Sequence, residues 1–194
     1  MYTVVGSVKT RSARVLWLLE ELGQPYTHLP AGPQSDLAFA HNPAGKVPVL
    51  IEGDASITDS TAILTYLADK HGAFTAPAGS LARARQDSMT QFLLDEFDAC
   101  LWTAARHSFV LPEEHRLPAI KDSLRWEYAR SLSRLSGRML GPFLMGSEMT
   151  VPDIIATHCL GWGAAAKIGA PDGALAEYLA RMRARPAYIA TFAS

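Results

Sequence analysis

Two structural classes are predicted in one chain: a small α/β domain over residues 1–74, then an all-helical domain over residues 84–194. Strand-like apolar runs are confined to the first 58 residues. From residue 81 onward, apolar side chains recur only at helical spacing. Between the two regimes, residues 72–79 carry Gly72, Pro77 and Gly79 among small side chains, the composition of a connection.

Tyr2-Thr3-Val4-Val5 reads as the first strand, ended by Gly6-Ser7. Over residues 11–22, Val15, Leu18, Leu19 and Leu22 recur at helical spacing, with Glu20 and Glu21 on the other side. Gly23 stops this helix and Pro25 prevents it from resuming. Residues 26–29 form a second strand and residues 35–40 a short helix. Residues 49–51 and 56–58 flank Glu52-Gly53-Asp54, a hairpin signal. A helix over residues 60–71 turns Ile63, Leu64 and Leu67 inward. The order is βαβ, a helix, then ββα.

In the second half, Met89, Phe92, Leu93, Phe97, Cys100, Leu101 and Ala104 mark a long amphipathic helix over residues 81–110, broken by Pro112. A second long helix over residues 117–140 aligns Ile120, Leu124, Leu132, Leu135 and Met139. Thr150-Val151-Pro152-Asp153 combines a capping hydroxyl, a first-turn proline and an acid three residues on. The helix it opens carries Ile154, Ile155, His158 and Cys159 and ends near Lys167 or Gly169. His158, on an apolar face, is expected in the core. A last helix over residues 173–184 is closed by Arg185-Pro186.

Composition excludes several classes of function. Hydrophobic residues at 48% and charged residues at 19% give an ordinary globular balance, not disorder. A formal net charge of −1 lacks the electrostatic footprint of nucleic-acid binding. No apolar run approaches the ~20 residues of a membrane span. The chain opens on a strand pattern and not on a basic segment with an apolar leader, so a cytoplasmic protein is expected. Cys100 and Cys159 lie far apart and outside any CxxC, as reduced core residues do. No His, Cys and carboxylate set has metal-ligand spacing, and no Gly-rich phosphate loop occurs.

The most informative stretch is Asn42-Pro43-Ala44-Gly45-Lys46-Val47-Pro48-Val49-Leu50, with Asp59-Ser60 nine residues beyond it. Pro48 has no N–H for a sheet and must stand at a strand's start or in a turn. If the Val47–Pro48 bond is cis, the N–H and C=O of Val47 face outward, open to an extended peptide ligand. Asp59 offers a carboxylate to such a ligand's amine. Ser60 offers a hydroxyl and a helix N-terminus to its carboxylate.

These residues resemble the cytosolic glutathione transferase superfamily over nearly the whole chain. Ser12-Ala13-Arg14-Val15-Leu16-Trp17-Leu18-Leu19-Glu20-Glu21-Leu22-Gly23 is similar to the first helix of its thioredoxin-like domain. Residues 42–50 resemble its cis-proline stretch, and Thr58-Asp59-Ser60-Thr61-Ala62-Ile63 its glutamyl-recognition turn. Gly146-Ser147-Glu148-Met149-Thr150-Val151-Pro152-Asp153-Ile154 resembles its buried capping box, and Arg185-Pro186-Ala187-Tyr188 its usual ending. The resemblance implies a thioredoxin-like domain followed by an α-helical bundle domain, glutathione as cosubstrate, no metal, and a homodimer. It gives Val47 the backbone pairing with the cysteinyl unit, Pro48 the presentation of that backbone, Asp59 and Ser60 the γ-glutamyl end, and Lys46 the glycyl carboxylate.

Glutathione addition to a small apolar electrophile, a detoxification chemistry, is the activity so implied. A free thiol with pKa near ~8.5 is only about 3% thiolate at pH 7. Lowering that value by about two units takes ~2.7 kcal/mol of differential stabilisation. Loop residues 7–12 offer hydroxyls, a helix start and two cations, Lys9 and Arg11. Lys9 stands where many plant-type relatives carry their serine. Thr10 ranks first among the catalytic hydroxyls, Ser12 second and Ser7 third, with Lys9 and Arg11 adding charge. A loop without cysteine argues against glutaredoxin-like reductase chemistry. Trp102, Arg106, His107 and Phe109 are expected to line an electrophile pocket between this loop and the helical domain. Two other readings share the fold: a non-catalytic binding or scaffold protein, and a glutathione-dependent isomerase or dehalogenase.

Overall fold

The computed structural model describes residues 1–193. Its contacts divide the chain into one unit of residues 1–78 with 183–193, and a second unit of residues 79–182.

The first unit is built on a mixed four-stranded sheet. Its elements are β1 (Tyr2–Val5), α1 (Ser12–Glu21), β2 (Tyr26–Leu29), α2 (Asp36–His41), β3 (Val49–Glu52), β4 (Ala55–Thr58) and α3 (Ser60–His71). The strand order is β2-β1-β3-β4, with β1 parallel to β2 and antiparallel to β3, and β3 antiparallel to β4. This is the expected thioredoxin-like arrangement. Val4, Val5, Val49 and Leu50 from the sheet are buried, as are Val15, Leu16, Leu18 and Leu19 from α1 and Ile63, Leu64 and Leu67 from α3. The α3 positions recur at three and four residues, which turns one face of that helix inward, whereas α1 is buried continuously over Ser12–Leu19. Gly23 ends α1 at a φ of +60°, a conformation that suits glycine.

One element was not foreseen. Pro186 opens a further helix, α9 (Pro186–Ala193), instead of closing the chain. Proline suits a first helical position, where its missing N–H has no partner to lose. α9 packs on α1, with Trp17 and Tyr188 edge to face at 5.0 Å. The sequence reading assigned all of 84–194 to the helical domain, but residues 183–193 cluster with the first unit. The Glu21 side chain, assigned to the polar side of α1, is only 7% exposed for the same reason.

The second unit is helical. A continuous helix runs through α4 (Leu81–Leu93), a π-helical turn (Leu94–Asp98), α5 (Ala99–Ala105) and a second π-helical turn (Arg106–Val110). Then come α6 (Ile120–Ser136), α7 (Val151–Ala165) and α8 (Gly173–Arg183). Tyr128 of α6 is fully buried, meets Phe97 edge to face at 5.3 Å, and donates to Cys159 O at 3.1 Å. Leu124, Tyr128, Ser131 and Leu135 form the buried stripe of α6, so the tyrosine and serine complete a face expected to be aliphatic. Asp153 is fully buried and accepts from Leu144 N (2.9 Å), Thr150 N (2.8 Å), Thr150 Oγ1 (3.1 Å) and Tyr178 Oη (2.9 Å). It locks the start of α7 as the capping pattern anticipates.

Candidate functional site

Sheet register assembles the site. Val5 pairs with Val49, and Val49 with Thr58. The residues just beyond those positions, Gly6, Pro48 and Asp59, therefore meet at one end of the sheet, although 53 positions separate the first from the last. A Cβ built on Gly6 would lie 3.1 Å from Val47 Cβ, so the turn after β1 touches the residue before Pro48.

The Val47–Pro48 bond is cis. Val47 is half-buried, and among the described residues neither its N–H nor its C=O makes a hydrogen bond. A β-like donor and acceptor pair therefore stands open at the sheet's end. The preceding loop is held by Asn42, which sequence reasoning missed. Its Nδ2 donates to Lys46 O at 2.9 Å and its Oδ1 accepts from Ala44 N at 3.0 Å. Asn42 is only 9% exposed, and an Asn before Pro is the signal that marks such a turn. Lys46 is exposed.

Asp59 caps α3, its Oδ1 accepting from Thr61 N (2.8 Å) and Ala62 N (3.1 Å). Its other carboxylate oxygen makes no hydrogen bond within the described residues. A φ of +72° at this non-glycine residue costs about 1–3 kcal/mol, a strain that concentrates at functional positions. Ser60 N–H, the first of α3, is likewise without an internal acceptor, beside a hydroxyl on a buried side chain. Arg14 Nη1 reaches Ser60 Oγ at 3.4 Å from α1, its side chain 1% exposed. Arg14 was also missed, although a lone charge four residues before Leu18, on the inward face of α1, is a readable signal.

The loop of residues 7–12 is tied together by hydrogen bonds between its own residues. Thr10 Oγ1 donates to Ser7 O at 2.7 Å and accepts from Ser12 N at 3.2 Å. Thr10 Oγ1 and Ser12 Oγ stand 2.9 Å apart. With the Thr10 proton given to the carbonyl, Ser12 is the donor of that pair. Ser12 is fully buried, whereas Thr10 and Ser7 are half-buried and Lys9 is exposed. The first N–H groups of α1 are also taken, Ala13 by Thr10 O and Arg14 by Arg11 O, each at 3.1 Å. Gly6, at φ +141°, is required here: a Cβ would lie 1.9 Å from Ser12 Oγ.

The residues expected to line an electrophile pocket all fall in the second unit. Trp102 is half-buried on α5. In the second π-helical turn, Arg106 Nη2 donates to Thr103 Oγ1 at 2.9 Å, and His107 Nδ1 accepts from Leu117 N at 3.0 Å. Phe109 is 70% exposed. His158 is half-buried and meets Trp162 edge to face at 6.0 Å. Among the described residues no group of three or more His, Cys, Asp or Glu stands together as metal ligands would, and no helix is long and apolar enough to cross a membrane.

Residues 6–77 match the family model of the glutathione S-transferase N-terminal domain. The chain is 33% identical to bovine glutathione S-transferase theta-1 over 165 residues, 76% of this chain and 65% of that protein. It is 31% identical to elongation factor 1-gamma of Trypanosoma cruzi over 124 residues, 62% of this chain and 29% of that protein. The chain thus spans less than two thirds of the length of these curated relatives. In three dimensions it resembles the theta class glutathione S-transferase of Xanthomonas axonopodis pv. citri, solved with glutathione bound. The TM-score is 0.81 at 25% identity, covering 100% of this chain and 97% of that one.

Proposed function

The chain belongs to the glutathione transferase superfamily, and we propose that it binds glutathione at the sheet end and adds its thiolate to small apolar electrophiles. The observation that carries the reading is the cluster of groups left open among the described residues: Val47 N–H and C=O, Ser60 N–H and one Asp59 oxygen. Glutathione is an extended tripeptide with one amine, two carboxylates and one thiol. Val47 pairs with its cysteinyl unit as a strand pairs with an edge. Asp59 receives the amine, and Ser60 N–H and Oγ receive the γ-glutamyl carboxylate at a helix start. Lys46 faces the glycyl carboxylate, and Lys9 adds positive charge beside the loop. Arg14 and Asn42 hold these groups in place.

The thiol then lies against residues 6–12, because Gly6 touches Val47. The loop's task is to stabilise the thiolate with a hydrogen-bond donor, and the Thr10 and Ser12 protons are already engaged within the loop. Trp102, Arg106 and His107 are the proposed electrophile-facing residues. The protein acts in the same proposal as a cytoplasmic homodimer in detoxification.

Isothermal titration with glutathione and S-methylglutathione tests the reading. Binding in the micromolar range supports it, and absence of heat for both sinks it. A second reading, a non-catalytic binding protein of the same fold, is favoured by Lys9 at the usual serine position and by the likeness to elongation factor 1-gamma. Binding without turnover across a panel of electrophiles selects that reading. Glutathione consumed as a stable conjugate selects the transferase, and glutathione regenerated selects an isomerase or dehalogenase.

A further inference from the structure

We infer that Ser7, and neither Thr10 nor Ser12, is the hydroxyl that contacts the glutathione sulfur, and that Thr10 and Ser12 are positioning residues that fix the turn presenting it. This assignment rests on the proposal that glutathione binds beside Val47, and it comes from following each proton in the loop.

Three hydroxyls share the turn, and each has one proton to give. The Thr10 proton goes to Ser7 O at 2.7 Å, and the Ser12 proton goes to Thr10 Oγ1 at 2.9 Å. Ser12 is also sealed from solvent at 0% exposure, so no ligand atom reaches it without rearrangement. Ser7 is different on every count. Its Oγ accepts from Lys9 N at 3.2 Å, and its own proton has no acceptor among the described residues. It is half-buried, so it has a solvent face. A hydroxyl whose oxygen accepts a bond becomes a better donor through its hydrogen. The Lys9 amide therefore both orients and polarises it.

Position agrees with the proton count. Gly6 precedes Ser7 and is wedged between Ser12 and Val47, its would-be Cβ 1.9 Å from Ser12 Oγ and 3.1 Å from Val47 Cβ. A cysteinyl unit paired to Val47 thus lies next to the Gly6-Ser7 turn. The turn is in turn fixed by two bonds onto Ser7 O, from Thr10 N at 2.9 Å and from Thr10 Oγ1. In the reaction the thiol proton leaves to water. The sulfur keeps the electron pair, and Ser7 O–H donates to it without losing its own proton. Lys9 takes part through its backbone, so a lysine at this position is compatible with catalysis.

The test measures two quantities on each variant: glutathione affinity by calorimetry and the pKa of bound thiol by thiolate absorbance. Ser7→Ala should leave affinity within about threefold and raise the bound thiol pKa by about one to two units. Ser7→Thr, which keeps the hydroxyl, should restore most of the shift. Thr10→Ser should resemble the parent, and Ser12→Ala should change the thiol pKa less than Ser7→Ala does. If the parent binds glutathione with a lowered thiol pKa and Ser7→Ala leaves it unchanged, the assignment is overturned while the binding proposal stands. A parent that binds without lowering the thiol pKa overturns it equally. A parent that binds neither glutathione nor S-methylglutathione overturns the binding proposal itself, and the assignment with it.

Discussion

Glu21 and Arg185, 164 positions apart, form a two-pronged ion pair, with Nε to Oε1 at 2.6 Å and Nη2 to Oε2 at 2.7 Å. The same Glu21 Oε1 accepts from Trp17 Nε1 at 2.9 Å, and Trp17 packs on Tyr188. Parallel N–H donors matched to two carboxylate oxygens make the strong form of this interaction. It fastens the last helix to the first one, and the glutamate is nearly inaccessible to water.

Removing the cation therefore strands a carboxylate. Arg185→Ala is expected to cost about 3 kcal/mol, because an unpaired charge remains in a covered site. Adding Glu21→Gln should recover part of that loss by removing the charge. Urea unfolding of the three variants measures both effects, and equal stability of Arg185→Ala and the parent would show the pair to be passive.

Gly6 and Ser12 should be coupled. Gly6→Ala places a methyl group 1.9 Å from Ser12 Oγ at a φ of +141°, and a loss of about 3 kcal/mol is expected. Ser12→Ala removes the oxygen that collides. The double variant should thus be more stable than the sum of the single losses by about 1 kcal/mol. Strict additivity in thermal unfolding would contradict the close approach.

Asp153→Ala should be among the most damaging single changes. Four donors converge on its carboxylate, and truncation leaves Leu144 N, Thr150 N, Thr150 Oγ1 and Tyr178 Oη to find new partners inside the fold. A loss of about 3–5 kcal/mol is expected from buried groups left unpaired. Denaturant midpoints measure it, and a shift under 1 kcal/mol would mean water fills the gap.

Alkaline pH should weaken the second unit through Cys100. Burial, with Glu127 adding to it, pushes this thiol up to about 11 from an ordinary value of 9.0. Its Sγ donates to Leu124 O at 3.3 Å. The folded state holds the proton more tightly, so the contribution is intact below pH 9 and is lost as pH rises from 9 to about 11. Stability against pH in that window should fall more steeply in the parent than in Cys100→Ala. The native thiol should also react slowly with thiol reagents at pH 8.

Lys46→Ala should weaken glutathione binding by about two- to fivefold, the range of a single exposed ion pair, and the difference should shrink in high salt. Calorimetry at two ionic strengths checks it. An unchanged affinity at low salt would remove Lys46 from the glycyl end.

Much of the fold is legible in the chain because local signals agree with one another. Gly23, Pro48, Thr150 and the alternating strand residues each state a boundary within a few positions of their own. Asp59-Ser60 and Val47-Pro48 were readable for the same reason, as cap and turn chemistry written in adjacent residues. α9 was not legible, since Arg185-Pro186 signals equally the end of one helix and the first turn of the next. Nor was the burial of Glu21, whose cover, α9, lies far along the chain.

The sequence by itself determined the strand and helix order, the change of class near residue 78, and the residue types gathered around Pro48. Only the tertiary structure decided which hydroxyl of residues 7–12 keeps a proton to give. That allocation depends on hydrogen-bond direction and on the closeness of Gly6 to Ser12 and Val47. Composition supplies the donors, but folding alone sets which acceptors they meet and which remain open.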